Sequence, residues 1–524
     1  MRILNVCLFL LGLLGALESA EGAQRIIVDS VATVVINPAI EHQTIRGFGA
    51  SDAWSIERLR QWPKDKGEQV ARWLFSKAID RSGQPLGIGL SQWRANIGAG
   101  SAEQGKSSGI KDPWRRAESV LGLEGYDFSK QEGMQWMLCM AKSYGVEDFT
   151  AFSNSPPVVM TKNGRAFADP GGYSNLEAEA YQDFVEYISQ FLLGIEQTSG
   201  VHFTYVSPFN EPQWDWDGGQ EGSPWSNQAI YDIVKRLSQS FQRKGIRTKI
   251  EISDAAKLNY LYESADKPDR ANHLLTFFKP SSSLFLGDLP QLAQKVTAHS
   301  YYTTYPEDYC ITSRQNLHQL MSQEYPHLEY WMSEYCILEN NPIIRGRGRD
   351  LGMDAALYMA RVIHNDLTLA QASSWQWWLA VSPYNYKDGL IYMDKNEQDG
   401  AIYDSKLLWT FGHFSRFIRP GYKRIAVTGA QSKTKSNGAA GLLVSAYKAP
   451  DSESQLVVVS INQTTEEQHL FLSVPSWGDV KTKSYVTSND LTHNLSPIEG
   501  TGNQRISLPP QSINTTLITK KIRL

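Results

Sequence analysis

The sequence predicts an α/β fold: a (β/α)8 TIM barrel with an attached antiparallel β-sandwich side domain. Three observations carry this expectation. From about Arg46, strand-like segments ending in polar or glycine-rich turns alternate with amphipathic helical stretches, the signature of a βα repeat. Eight such strand-like segments can be counted, the number that closes a barrel. Past Pro420-Gly421 the helical pattern stops, and short segments separated by Gly, Pro, Asn and Ser turns take over, as in a sandwich.

The N-terminus begins Met1-Arg2, runs through an apolar stretch over 3–17 and continues with Ser19, Ala20, Gly22 and Ala23. This reads as a secretory signal peptide over residues 1–23. The cleavage point stays open, because Glu18 and Glu21 occupy the minus-three positions of the two alanine candidates. Cys7 lacks the residues that precede a lipid-modified cysteine. No later stretch approaches the roughly 18 apolar residues of a membrane span. The expectation is a mature, exported (extracellular or periplasmic), monomeric chain with no membrane insertion.

Residues 25–36 are β-prone and read as one or two strands. The barrel strands are expected over 45–53, 87–95, 146–153, 203–209, 248–253, 296–301, 330–334 and 373–380. Helices are expected over 68–77, 130–143, 176–197, 227–244, 314–323 and 353–370, where apolar residues recur at three- and four-residue spacing. In the third of these, Tyr181, Phe184, Val185, Ile188, Phe191 and Leu192 form one stripe to pack on the barrel. Side-domain strands are expected over 442–447, 455–462, 469–474, 483–487, 505–508 and 513–519. The lone N-terminal strands need a sheet to join, so 24–45 and 418–524 are assigned to one sandwich and 46–417 to the barrel.

Composition narrows the function. A formal charge of −4 and a pI near 6.2 offer no basic face, so nucleic acid is not an expected partner. The 15 Trp and 24 Tyr exceed what the core demands, and such surplus aromatics suit stacking on sugar rings, although most must still be core. Beyond Cys7 there are Cys139, Cys310 and Cys336. That number leaves at most one bridge, with Cys310 and Cys336 the better pair, against three free thiols. No Cys/His spacing resembles a zinc site, and no metal or other cofactor is expected. His42, His202, His299, His364 and His413 are scattered and read as hydrogen-bonded structural residues.

Two motifs point to chemistry. Ser207-Pro208-Phe209-Asn210-Glu211-Pro212 follows the fourth candidate strand, and Trp331-Met332-Ser333-Glu334-Tyr335 ends the seventh. Each glutamate should emerge at the C-terminal end of its strand, where barrel enzymes keep their active sites. Two facing carboxylates are the minimum for cleaving a glycosidic bond, one protonating the leaving oxygen and one attacking or activating water.

The pairing resembles the clan of barrel glycosidases with the acid/base on strand four and the nucleophile on strand seven. Within it, several blocks resemble glycoside hydrolase family 30, in that family's order. They are Gly47-Phe48-Gly49-Ala50-Ser51-Asp52-Ala53-Trp54, Ser155-Pro156-Pro157 with Lys162-Asn163-Gly164, His299-Ser300-Tyr301, Trp331-Met332-Ser333-Glu334, and Gly412-His413-Phe414-Ser415-Arg416-Phe417-Ile418-Arg419-Pro420-Gly421. The resemblance covers nearly the whole mature chain and implies a retaining reaction with Glu211 as general acid/base and Glu334 as nucleophile. It further implies that Asn210 bonds the sugar 2-hydroxyl, that Tyr301 and Arg94 flank Glu334, and that Trp377 floors the −1 subsite, with Trp375 and Trp378 as packing residues. His299 joins the substrate-binding set by the same resemblance. Asp52 and Trp54 follow strand one, where relatives bind hydroxyls, although Asp52 also suits a helix cap.

The string Asn210-Glu211-Pro212-Gln213-Trp214-Asp215-Trp216 is most similar to the branch acting on β-1,6-linked galactan side chains of arabinogalactan. Trp54, Trp214 and Trp216 are expected to stack on galactosyl units. Many family members carry Trp where this chain has Asn154 and Val159. An amide at Asn154 would suit the axial hydroxyl of galactose. The same mechanism on glucuronoxylan, β-1,6-glucan or a glucosylceramide-like substrate is the alternative, with Arg345, Arg347 and Arg349 as candidates for a carboxylate clamp. An inactive glycan-binding protein is a further alternative, against which the presence of both glutamates with Asn210, Tyr301 and Arg94 argues.

Overall fold

The computed structural model describes residues 31–429, 435–436, 439–450, 452, 454–498 and 504–521. The signal-peptide assignment, Cys7 and residues 25–30 lie outside the described residues. Eight parallel strands form a ring: strand one Gly47–Ser51, two Gln92–Ile97, three Asp148–Ser153, four Tyr205–Ser207, five Lys249–Ile250, six Lys295–His299, seven Glu329–Tyr335 and eight Ser374–Ser382. Pairing runs from strand eight to strand one and on through strand five. It resumes from six to seven to eight. Strands five and six meet only through single parallel bridges, Ile250 to Leu292 and Ala255 to Ala298. Strands one, two and eight are buried at every residue, as parallel strands covered on both faces must be.

Strand two starts later than its pattern predicts. Residues 87–91 alternate like a strand, yet Ile88 and Leu90 donate their N–H groups to the carbonyls of Trp73 and Leu74, closing helix Lys64–Phe75. The backbone partners are spent on the helix end, so pairing begins only at Gln92. Helix Tyr181–Ser199 buries Phe184, Val185, Ile188, Phe191 and Leu192 against the barrel, while helix Asn227–Lys244 is capped by the Ser226 hydroxyl and by Gly245 in the left-handed region. Among the helices that the sequence pattern does not mark, the longest is Lys406–Ser415, which is buried at every residue and has no polar face to give a period.

The described cysteines are free thiols. Cys310 sits inside helix Glu307–Glu324, where its sulfur accepts from Arg314 Nη1 at 3.3 Å and Asn365 Nδ2 at 3.4 Å. Cys336 follows strand seven and lies 3.6 Å from the Tyr301 hydroxyl. Each sulfur has its own polar neighbours, and no bridge forms.

The side domain is one nine-stranded hydrogen-bonded path rather than two separate sheets. The N-terminal strand Ala32–Thr44 lies inside that path, antiparallel to Lys423–Thr428 and parallel to Gln468–Ser473. Strand Arg505–Leu508, at one end, folds back against Gln455–Asn462 and Ser512–Lys520. The core within joins Val34 and Ile36 to Ile425, Leu456, Val458, Leu470, Leu472 and Ile518. Helix Lys406–Ser415 is shared by both units. Its fully buried His413 bonds Thr515 Oγ1 and Thr487 Oγ1, both at 2.9 Å, and burial depresses its pKa to about 3.

Candidate active site

The end of strand four is built to turn a carboxylate inward. Asn210 donates its N–H to the Ser153 carbonyl at 3.2 Å, and Glu211 donates to the Asp254 carbonyl at 3.0 Å. Glu211 adopts φ 45°, a left-handed conformation costing a non-glycine residue on the order of 1 kcal/mol or more and held only where the surroundings enforce it. Here Trp216 Nε1 grips the Glu211 carbonyl at 3.0 Å. From strand seven, the Glu334 carboxylate accepts hydrogen bonds from Arg94 Nη1 and, at 3.0 Å, from the Tyr301 hydroxyl. One polar atom from each of Glu211, His299 and Glu334 lies within 4.8 Å of those of the other two.

The sequence did not single out the residue that ties this cluster together. Asp254, fully buried, accepts from Arg94 Nη2 at 2.7 Å, Ser333 Oγ at 2.7 Å, Ser207 Oγ at 2.9 Å and His299 Nε2 at 3.1 Å. Burial opposes its charge, but Arg94, His299 and these hydroxyls hold its carboxyl far below the usual range. The β-prone pattern predicts a strand over 248–253, which stops one residue short of Asp254. The regular strand ends at Ile250, and both Ser253 and Asp254 have positive φ.

His299 fits the structural reading of the scattered histidines rather than the substrate-binding one. It is 0% exposed, with Nδ1 2.8 Å from Glu211 Oε1 and Nε2 on Asp254, so both ring nitrogens are spent on carboxylates and none remains for sugar. Burial disfavours its charge, yet the carboxylates of Glu334, Asp254 and Glu211 push its pKa up to about 10. Burial raises the Glu211 pKa, with Glu334 acting in the same direction and the His299 hydrogen bond against it. A raised carboxyl is what a general acid requires.

Arg94 also donates to Asn210 Oδ1 at 3.0 Å, fixing that amide beside Glu211. Trp377 does not take the place expected of it. Strand alternation puts Trp375 and Trp377 on the outer face, where Trp375 meets Phe411 of helix Lys406–Ser415 and Trp377 donates Nε1 to the Asp388 carbonyl at 2.7 Å. Trp378 points the other way, edge-on to Trp54 and Phe152. Phe152 lies 3.7 Å beneath the Arg94 guanidinium, so Trp378 is the tryptophan that reaches the site.

Asp52 accepts the Asn96 N–H at 2.8 Å, and burial lifts its pKa to about 8. It does not cap the following helix. Asn154 donates to Asn96 Oδ1 at 3.0 Å, leaving its own buried Oδ1 without a partner. Trp214, against Tyr302 and Lys257, and Trp216 are part-exposed beyond strand four. Arg349 is held by the Tyr384 and Met393 carbonyls at 3.4 Å, while Arg345 and Arg347 are exposed.

A model of the family described as O-glycosyl hydrolase family 30 matches residues 31–392. The chain is 24% identical over 429 residues to an endo-beta-1,6-galactanase of Hypocrea rufa, covering 78% of each chain. It is 24% identical over 378 residues to glucuronoxylanase XynC of Bacillus subtilis (strain 168), covering 70% of this chain and 72% of that one. Among solved structures, a conserved exported protein from Bacteroides fragilis superposes with a TM-score of 0.85 at 33% identity, over 93% of this chain and 100% of the other. Among the described residues, no helix is long and apolar enough to cross a membrane.

Proposed function

The chain belongs to O-glycosyl hydrolase family 30, and from this we propose that it is a secreted, retaining endo-β-1,6-galactanase acting on arabinogalactan side chains. The observation that carries the mechanism is the approach of the Glu211 and Glu334 carboxylates, one oxygen of each lying within 4.8 Å of the other. Retaining enzymes need such closeness, at about 5 to 5.5 Å between carboxyls, whereas inverting ones leave room for a water. Glu334, oriented by Arg94 and Tyr301, attacks the anomeric carbon as Glu211 protonates the departing oxygen. Glu211, now a carboxylate, then takes a proton from the water that hydrolyses the glycosyl-enzyme. Asn210 faces the 2-hydroxyl, and Trp378 takes the floor role first assigned to Trp377.

Two features support galactan. The galactanase relative aligns over the longer stretch, and Asn154 offers a buried, unpartnered Oδ1 to a hydroxyl that an indole could not bond. Digesting β-1,6-galactan, glucuronoxylan and β-1,6-glucan, sizing the products, and following the first-formed anomer by NMR tests both parts. Short β-1,6-galacto-oligosaccharides with retained configuration are expected. Faster cleavage of xylan or glucan would remove the substrate assignment and leave the mechanism, and inverted product would remove the mechanism.

A further inference from the structure

A cavity of about 440 Å³ lies between the barrel and the side domain, with neither carboxylate of the pair in its lining. Its walls are helices Glu307–Glu324 and Met353–Thr368 on one side and strands Lys423–Thr428 and Leu442–Lys448 on the other. Two arginines line it, Arg361 from the barrel, 4% exposed, and Arg424 from the side domain, 8% exposed. Neither makes an ion pair among the described residues. The similarly buried cations Arg94, Arg314 and Lys295 do: they face Asp254 and Glu334, Asp366, and Glu251.

A guanidinium removed from water without a counter-charge is a destabilising arrangement, and the partners present are few. Arg361 donates only one hydrogen bond, from Nη2 to the Thr304 carbonyl at 3.5 Å, leaves Nη1 without a partner, and rests its guanidinium 4.7 Å over the Tyr358 ring. Arg424 uses Nε on Gln43 Oε1 at 3.0 Å. His364, 8% exposed, also lines the cavity and leaves Nδ1 unpartnered. Burial, with Arg424 nearby, lowers its pKa to about 4. Glu307, part-exposed at the helix start, is the one carboxylate among the described lining residues and pairs with neither arginine.

We propose that this interdomain cavity is a binding site for a compact oxyanion, carried either on a uronic-acid sugar or as a free inorganic anion. Arg361 and Arg424 would clasp it from opposite domains, each with guanidinium donors suited to paired bonds. The volume suits a monosaccharide, and Asn365 and Ser445 add polar groups to the wall. Because one arginine comes from each domain, an occupant ties the two together.

Calorimetric titration and thermal melting of the full protein with glucuronate, galacturonate, sulfate and, as neutral control, galactose test the site. At least one anion should bind and raise Tm, while galactose should not bind there. Each of Arg361→Gln and Arg424→Gln should weaken binding by roughly tenfold or more, the loss of a charge-assisted contact, with hydrolysis of an aryl glycoside unchanged. Arg424→Lys, which keeps the charge, should retain part of the affinity and serves where the glutamine variant fails to fold. A uronate preferred over sulfate identifies an acidic sugar, and equal binding identifies a free oxyanion. No anion bound up to about 50 mM, or binding that survives both glutamine substitutions, overturns the proposal.

Discussion

His299 Nδ1 lies 2.8 Å from Glu211 Oε1. The proton donor of the proposed reaction is therefore held by a group that favours its charged form, while burial favours the neutral one. Removing the imidazole should release that opposition. In His299→Asn the Glu211 pKa rises further, and the basic limb of the kcat/KM profile moves to higher pH. A pH profile on an unactivated substrate checks this, and an unmoved or acid-shifted limb would contradict it.

The same histidine makes stability depend on pH. Its folded pKa, about 10, exceeds the unfolded value of roughly 6.5. Its contribution is complete below that unfolded value and is lost as pH rises through about 10, on the order of a few kcal/mol across the window. Urea unfolding at a series of pH values should show the decline, and His299→Asn should flatten it.

Glu334→Gln should abolish formation of the glycosyl-enzyme. Glu211→Ala should lose roughly 10²- to 10⁴-fold on substrates whose leaving group needs a proton, keep appreciable glycosylation of activated aryl glycosides, and regain turnover with azide. Steady-state kinetics on paired substrates separates the two, and equal loss on all substrates in both variants would count against these roles.

Asp254→Asn should be severe in both activity and folding. It leaves Arg94 and His299 short of a counter-charge at 1% exposure or less, and breaking such a buried pair costs about 3–5 kcal/mol. Denaturant unfolding measures the loss. Azide should not restore this variant.

Deleting the residues after Pro420 strips the partner of strand Ala32–Thr44 and the Thr487 and Thr515 hydroxyls from His413. Insoluble protein is the expected outcome. A soluble, active barrel would show the side domain to be an independent module.

The carboxylate pair was legible in the sequence because each glutamate follows a β-prone run directly, so its position relative to the barrel mouth needed no tertiary information. Asp254 was not, because strand five has only two paired residues, Lys249 and Ile250, and the chain reaches the acid through left-handed backbone that no hydrophobic period encodes. Trp377 failed for a different reason. In Trp375-Gln376-Trp377-Trp378 both faces are buried, so hydrophobicity could not say which ring turns inward. The inward face is marked instead by Gln376, which bonds Gln92 inside the barrel at 3.4 Å. The barrel was visible as a rhythm of segments, whereas helix Lys406–Ser415, apolar on every side, carried no rhythm at all.

The pairing of Val35 with Thr428 also sets a clock. During synthesis the first side-domain strand emerges while nearly the whole barrel is still unmade, and at about 5–20 residues per second its antiparallel partner follows on the order of tens of seconds later. For that interval Val34 and Ile36, both 0% exposed in the finished fold, have no core to enter. The side domain cannot seed folding from the N-terminus. Its assembly awaits the last fifth of the chain, and until then the early strand is the segment most in need of protection from other nascent chains.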